Sequence, residues 1–538
     1  MGSVRARLCA MMFLQYYTWG SWGVELGNYM DKVLGFTGVQ IGSVYSTTAI
    51  AAMITPLFMG YIADRLFATE KILGVLHLIG AALLGAAAFS GPILERFSSL
   101  GSQFNVLYGV MIVYALCFMP TLALTNSISF ENIKDPEKEF PLIRVFGTLG
   151  WIAAGLVVGF FLKARPGSAV YDSFNKVLPG DTLFASNNFI AMAAACSLLL
   201  GLFCFTLPHT PPKKADAAEA RGERKNILRL LADPSFLIFT VASFLICIPL
   251  AFYYAFANVF LNDINAPWPT ALQTVGQASE VFFMAAMPLF ISLLGVKRML
   301  AVGMLAWVAR YWCFGTLDMP LVVLGLVLHG ICYDFFFVAS QIYVDAKADA
   351  TQRASAQSFI AFVTLGLGMF VGAYAAGYVR DQYPPVYMIT IVDEKGEPRM
   401  DEKGNLMQAN LPVWDPSGKT GFARSLGLDS EKTIAVGQVP SPFVDPDAKL
   451  IYDQKAVEGA LMRIDSRGDK DGQVSYSEWR RGRAGQWYDI WLWPQAGASL
   501  TLIFFWFGFR QRITPAQTAE MIEEAPLGAG EGPEPQVG

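Results

Sequence analysis

The sequence predicts an all-α membrane protein of twelve transmembrane helices in two six-helix bundles, with a polar extramembrane insertion between helices 11 and 12. Three observations predict it. Of 538 residues, 54% are hydrophobic and only 16% are charged, against about 25% charged in ordinary soluble domains. The apolar residues gather into twelve runs near 8–28, 40–62, 71–92, 104–130, 140–163, 187–208, 235–260, 271–294, 298–316, 319–343, 355–379 and 488–509. Each approaches the roughly 20 residues that a helix needs to cross a bilayer. A polar, proline-bearing stretch, LPHTPPKKADAAEARGERKN, divides six runs from six. A soluble enzyme core cannot hide so many separate runs, so that class is excluded.

Arg5 and Arg7 precede the first run, which holds Trp19, Trp22 and Glu25 and lacks a small-residue cleavage site, so it reads as a retained span. Lysine and arginine in the short loops fall mainly on one side: Arg5, Arg7, Arg65, Lys71, Lys134, Lys138, Lys297, Arg298, Lys347, Arg353, Arg510 and Arg512, joined by the basic residues of the linker. The positive-inside rule then places both termini and the linker in the cytoplasm. The predicted organisation is a first bundle at 1–208, a linker at 209–234, helices 7–11 at 235–380, an outer insertion at 381–487, helix 12 at 488–512 and a disordered cytoplasmic tail at 513–538. A net charge of −4 and the lack of a basic tract argue against a nucleic-acid partner. All seven cysteines lie in apolar runs, where thiols act as small hydrophobes, so no disulfide is expected.

The halves echo each other weakly. Lys134 and Asp135 precede Thr148-Leu149-Gly150, as Lys347 and Asp349 precede Thr364-Leu365-Gly366. With the six-and-six division this favours a repeated carrier with its site near the midplane, for which one chain suffices; a monomer in the lipid bilayer is expected. The insertion differs in kind. In RIDSRGDKDGQVSYSEW, Asp469, Asp471, Gly472, Val474, Ser475 and Glu478 sit at positions 3, 5, 6, 8, 9 and 12 of a calcium loop. Position 1 is then Arg467, which opposes calcium, and taking Asp465 instead makes the loop two residues too long. Calcium binding by Asp465, Asp469, Asp471 and Glu478 and an ordinary acidic turn are both open.

An ionisable residue at a span centre costs roughly 2.5–3.5 kcal/mol on insertion scales, so such residues mark pairs, cavities or ion paths. Gln277 and Glu280 share one helix face in VGQASEVFFMAAMPLF, and Asp334 sits in HGICYDFFF, where His329 lies one turn before Tyr333. Arg144, Thr148 and Trp151 form a stripe in FPLIRVFGTLGW. A cation, a hydroxyl and an aromatic face suit a polar, ring-bearing solute better than a bare ion. Arg144 can equally pair with Glu280 or Asp334 to join the halves. A buried carboxylate favours its protonated form, so Glu280 or Asp334, paired in turn with Arg144, can couple transport to a proton gradient. Gln15 and Trp19 lie one turn apart in FLQYYTWGSW; they can face the cavity, although a tryptophan at a span end often anchors at the interface. Arg310 reads as structural, at a lipid-facing helix. Thr125, Asn126, Ser127 and Ser129 read as bonds between helices. No nucleophile–base set or histidine metal set is visible, so an enzyme is not expected, and no cofactor beyond the coupling proton.

The string GYIADR, with Gly60, Asp64 and Arg65 closing the second run, resembles the G-x-x-x-D-R signature of the major facilitator superfamily. FLQYYTWGSWGVELGNYM, IGSVYSTTAIAAM, PTLALTNSISF, FPLIRVFGTLGW, LPHTP, QASEVFFMAAMPLF, YDFFF and RASAQSFIAF together resemble its nucleoside:proton symporter family. The resemblance spans all but the last run. It implies the major facilitator fold, nucleoside uptake by alternating access with protons, a bacterial inner-membrane location, and a site of Arg144, Thr148, Gln277, Glu280 and Asp334. Trp151 and Tyr333, standing where the family has phenylalanine, are then placed to stack on a base. Ala251 and Tyr254 stand where the family has polar amides, which leaves base preference open. A sugar or polyol symporter on the same fold, and a non-transporting sensor using the insertion, are the alternatives.

Overall fold

The computed structural model describes residues 2–56, 67–90, 101–163, 186–211, 230–348, 353–401, 404–414, 432–437, 442–446 and 449–510, with Ser173, Phe422, Leu426 and Leu428. Gly60, Asp64 and Arg65, most of the linker and the tail from 511 lie outside the described residues.

The apolar runs fold as helices. In the first half these are α1 (Gly2–Gly23), a short α2 (Leu26–Lys32), α3 (Gly38–Ile54), α4 (Thr69–Ala88), α5 (Gln103–Asn132), α6 (Pro136–Leu156) and α7 (Asn188–Cys204). In the second they are α8 (Pro234–Asp263), α9 (Pro269–Gly315), α10 (Met319–Val327), α11 (His329–Tyr333), α12 (Ala339–Lys347), α13 (Arg353–Ala361) and α14 (Met369–Gln382). Among the described residues, eight continuous helical runs are long and apolar enough to cross a membrane, and α3 and α7 are apolar but shorter. The chain is thus a mostly helical, multi-span protein.

Local chemistry sets several boundaries. Thr37 and Gln40 form a reciprocal capping box at the start of α3. Asp233 caps α8 by accepting from the Ser235 and Phe236 amides, with Pro234 at the first helical position. A straight helix of α9's 47 residues would extend about 70 Å, more than twice the hydrocarbon thickness of about 30 Å. Gly295 breaks it, with φ at 66°, a conformation open to glycine for want of a Cβ; the limbs are 269–294 and 296–315. Three helices widen into π-helical segments, Val157–Leu162, Asp334–Val338 and Phe362–Gly368, a local unwinding frequent at functional sites.

Helix α1 packs on α6 and α7, α4 on α5 and α7, and α3 on α5; in the second half α8 and α9 pack on the last helix. The halves meet chiefly through α3 against α14 and α6 against α9. Polar contacts between them gather at one end. Lys32 lies 2.8 Å from Asp263, Arg380 3.3 Å from Asp31, and Thr270 donates to Glu25 at 2.6 Å. The Asp381 carboxylate accepts from the amides of Gly38 and Val39. At the other end the Arg5–Glu139 pair lies within the first half, and the Glu70–His209 and Asp233–Lys347 pairs each join a half to its adjoining end of the linker.

Residues 388–483 form a small unit that composition alone did not foretell. Strands β1 (Met388–Val392), β2 (Gln408–Asn410), β3 (Thr433–Ala435), β4 (Phe443–Asp445) and β5 (Leu450–Tyr452) are followed by α15 (Gln454–Arg467), β6 (Gln473–Ser475) and α16 (Tyr476–Arg483). The sheet order is β2-β1-β5-β4, all antiparallel, with β3 and β6 paired separately. Trp414, Phe422, Phe443, Ile464 and Trp479 belong to a core separate from that of the helices. Arg480 and Asn265 tie this unit to the helix ends through the Leu317 carbonyl, the Trp414 carbonyl and the Tyr476 hydroxyl. Then α17 (Gln486–Gly508) returns to the bundle.

Candidate functional site

Two glycines build the second-half cluster. A Cβ on Gly330 would lie 2.6 Å from the Ser279 backbone, and one on Gly276 would lie 3.2 Å from the His329 Cβ. Without those atoms α9 and α11 approach closely, as small residues permit between membrane helices. The approach sets Glu280 beside His329, with Oε2 3.9 Å from Nε2. Across the same imidazole, Arg310 Nη1 donates to Nδ1 at 2.7 Å. Arg310 is fully buried, so the sequence reading of it as a lipid-facing support is corrected: α9 turns it inward onto His329. Its guanidinium lies 3.6 Å from the centre of the Tyr253 ring and between 5.3 and 5.4 Å from those of Trp307 and Phe314.

Gln277 is buried and Glu280 half-buried on the same face of α9. Asp334 is fully buried and opens the π-helical segment directly after Tyr333. The Tyr333 ring lies 5.8 Å from that of His329. Tyr254, on α8, is buried with its ring 5.5 Å from Tyr253, and its hydroxyl has no hydrogen-bond partner among the described residues.

In the first half, Arg144 lies 4.5 Å from the centre of the Tyr16 ring. Thr148 follows on α6, and Trp151 is buried edge-on against Trp19, ring centres 5.8 Å apart. The two tryptophans therefore pack on each other, and Trp19 also meets Phe118. Gln15 is fully buried and points into a network of its own half: its amide donates to Thr121 at 2.7 Å and its carbonyl lies 2.7 Å from His77 Nε2. Thr125 and Ser129 bond back to their own helix at Leu122 and Thr125.

Sequence reasoning missed two pairings, Arg310 with His329 and Gln15 with His77. The available signal was the same one that marked Glu280: an ionisable or strongly polar side chain inside an apolar run. In the small unit, carboxylate oxygens of Asp465, Asp469 and Asp471 lie within 4.8 Å of one another. Glu478 forms a capping box with Ser475 and accepts from the Asp469 amide. Burial pushes Glu478 up, but hydrogen bonds from Ser475 and Asp469 and the charge of Arg481 outweigh it and hold the carboxyl below its ordinary value.

The family model described as Nucleoside H+ symporter matches residues 2–388. The chain is 38% identical to the putative nucleoside transporter YegT of Escherichia coli (strain K12), covering 70% of this chain and 84% of that protein. It is 32% identical to the xanthosine permease of the same strain, covering 71% and 89%. Among solved structures, the crystal structure of nucleoside transporter NupG aligns with a TM-score of 0.59 at 27% identity, covering 71% of this chain and 92% of that one. NupG of Escherichia coli is a nucleoside permease. The family match ends at residue 388, where β1 begins.

Proposed function

As the chain belongs to the nucleoside H+ symporter family, we propose that it imports nucleosides with protons through a midplane site formed by Arg144, Thr148, Gln277, Glu280 and Asp334. The observation that carries the site is the close approach of α9 and α11 at Gly276 and Gly330, which sets the Gln277–Glu280 face beside His329, one turn from Asp334. Such a face offers amide and carboxylate groups to ribose hydroxyls or base edges, with Tyr333 and Tyr254 beside it as aromatic surfaces. Asp334 and Glu280 take and release the proton, and Arg144 balances the ionised form.

Twelve spans in two six-helix bundles, with 381–487 outside and both termini in the cytoplasm of a bacterial inner membrane, complete the proposal. Support comes from the major facilitator fold of the relatives, the break at Gly295 and the loop charges. In that orientation the end joined by Lys32–Asp263 and Arg380–Asp31 is the outer one, and the described state is closed outward. Family membership favours nucleosides over the sugar and sensor alternatives. The test is uptake of radiolabelled uridine and adenosine into transporter-deficient cells. The expected result is accumulation that collapses with a protonophore; no uptake of either by membrane-inserted protein overturns it.

A further inference from the structure

We propose that Arg310 is a positioning residue of the transport site: through His329 Nδ1 it holds that imidazole in the neutral tautomer protonated on Nε2, so that Nε2–H and Glu280 together receive a sugar hydroxyl of the nucleoside. The inference rests on the function proposed above and adds to it a residue and the group that it selects.

A guanidinium has five N–H donors and no acceptor. The 2.7 Å contact from Arg310 Nη1 therefore makes Nδ1 the acceptor. An imidazolium donates from both nitrogens and has no lone pair to offer, so the bond exists only with a neutral ring whose proton is on Nε2. That nitrogen faces Glu280. The guanidinium is held in place by the Tyr253, Trp307 and Phe314 rings. Tyr253 and Cys332 also share its polar side, and the contact of hydrogen-bond length given to an acceptor nitrogen is the 2.7 Å one to His329. Burial of an arginine without a carboxylate partner is costly, and orientation of the imidazole gives it a purpose.

The 3.9 Å between His329 Nε2 and Glu280 Oε2 exceeds a hydrogen bond. An oxygen at ordinary hydrogen-bond distance from both subtends an angle of about 90°, which an alcohol tolerates. The bridging atom must accept from Nε2–H and, toward an ionised Glu280, donate. A hydroxyl does both, whereas a base carbonyl only accepts. Ribose hydroxyls are the groups of a nucleoside that satisfy this pair.

The test uses the full chain in proteoliposomes under an inward proton gradient, with uridine, 2′-deoxyuridine, 3′-deoxyuridine and 5′-deoxyuridine as probes. Arg310→Met and His329→Asn are each expected to raise the half-saturation concentration for uridine about tenfold, the order of a lost hydrogen bond to a charged site. The deoxy analogue that lacks the bridging hydroxyl should change by no more than about twofold. His329→Gln, which restores a donor near Nε2, should recover part of the loss. Since Arg310 acts through His329, the double variant should be no worse than His329→Asn alone. Equal losses for all four probes, or losses that multiply in the double variant, overturn the inference. Wild-type protein that fails to take up uridine overturns the underlying function instead. If Arg310→Met does not fold, nitrogen-15 NMR of histidine-labelled wild-type protein, with His329 assigned through His329→Gln, decides: an unprotonated Nδ1 with a protonated Nε2 is expected, and a protonated Nδ1 overturns it.

Discussion

Asp334 and Glu280 sit in different surroundings, one fully buried at a π-helical turn and the other partly buried beside His329. Asp334→Asn and Glu280→Gln remove the titrating group while keeping its shape. Each is expected to abolish concentrative uptake in vesicles with an imposed proton gradient, while at least one retains nucleoside exchange; concentration by both variants places the proton relay elsewhere. Gly330→Ala sets a Cβ 2.6 Å from the rigid Ser279 backbone, so uptake should fall by about tenfold or more even when the protein reaches the membrane. Gly276→Ala meets the His329 side chain at 3.2 Å and should do less. These residues differ in how legible they were. Carboxylates such as Glu280 and Asp334 stand out in an apolar run because hydrocarbon penalises them, whereas His329, neutral and among aromatics, reads like any core residue. Its pairing with Arg310 depends on how two helices turn toward each other, which the spacing of residues along a chain does not specify.

Helices were legible wherever a run was long and apolar. Asp233, which ends the linker, accepts from two amides of α8 and pairs with Lys347 at 2.6 Å. The hydrogen bond from Lys347 holds its carboxyl below the ordinary carboxylate range. Asp233→Ala should destabilise the purified protein by about 1 kcal/mol at neutral pH, the usual worth of an N-cap. Because the folded-state value is depressed, this contribution is complete above the ordinary carboxylate range near pH 4 and fades as pH falls through the folded value. Thermal midpoints of wild type and variant should therefore converge in acid; a constant gap assigns the effect to the cap alone. The strands of 388–483 were not legible, since five of the six have only three residues and alternation cannot show over so few. For the 465–478 loop, a calcium-dependent rise in the unfolding midpoint that Asp469→Asn and Asp471→Asn remove marks calcium binding; an unchanged midpoint marks an acidic turn.

Across the whole molecule, the contacts between halves crowd toward the end that carries the small unit, which makes them the brake on alternating access. Lys32→Met removes one of them. With spin labels at the exposed positions Val33, on the first half, and Val386, just past the end of α14, the variant should populate longer separations than the parent; an unchanged distance distribution assigns closure to α3–α14 packing. The linker and the count of runs suggest a division into halves in the sequence, whereas the contacts at this end are not suggested there, because they depend on partners hundreds of residues apart. Asp263 sits at its centre, accepting from Trp487 at 2.9 Å and lying 2.8 Å from Lys32 and 4.0 Å from Arg483. When an ordinary buried ion pair separates, each charge is stranded, at a penalty of several kcal/mol. Here Asp263 keeps Arg483 and Trp487 as the halves part, and Lys32 carries its charge away with Asp31, 2.7 Å from it. The late segment that bears Arg483 thus acts as a counterweight on the hinge: it leaves the door shut at rest and makes it lighter to swing, so that a chain stripped of it should turn over more slowly rather than leak.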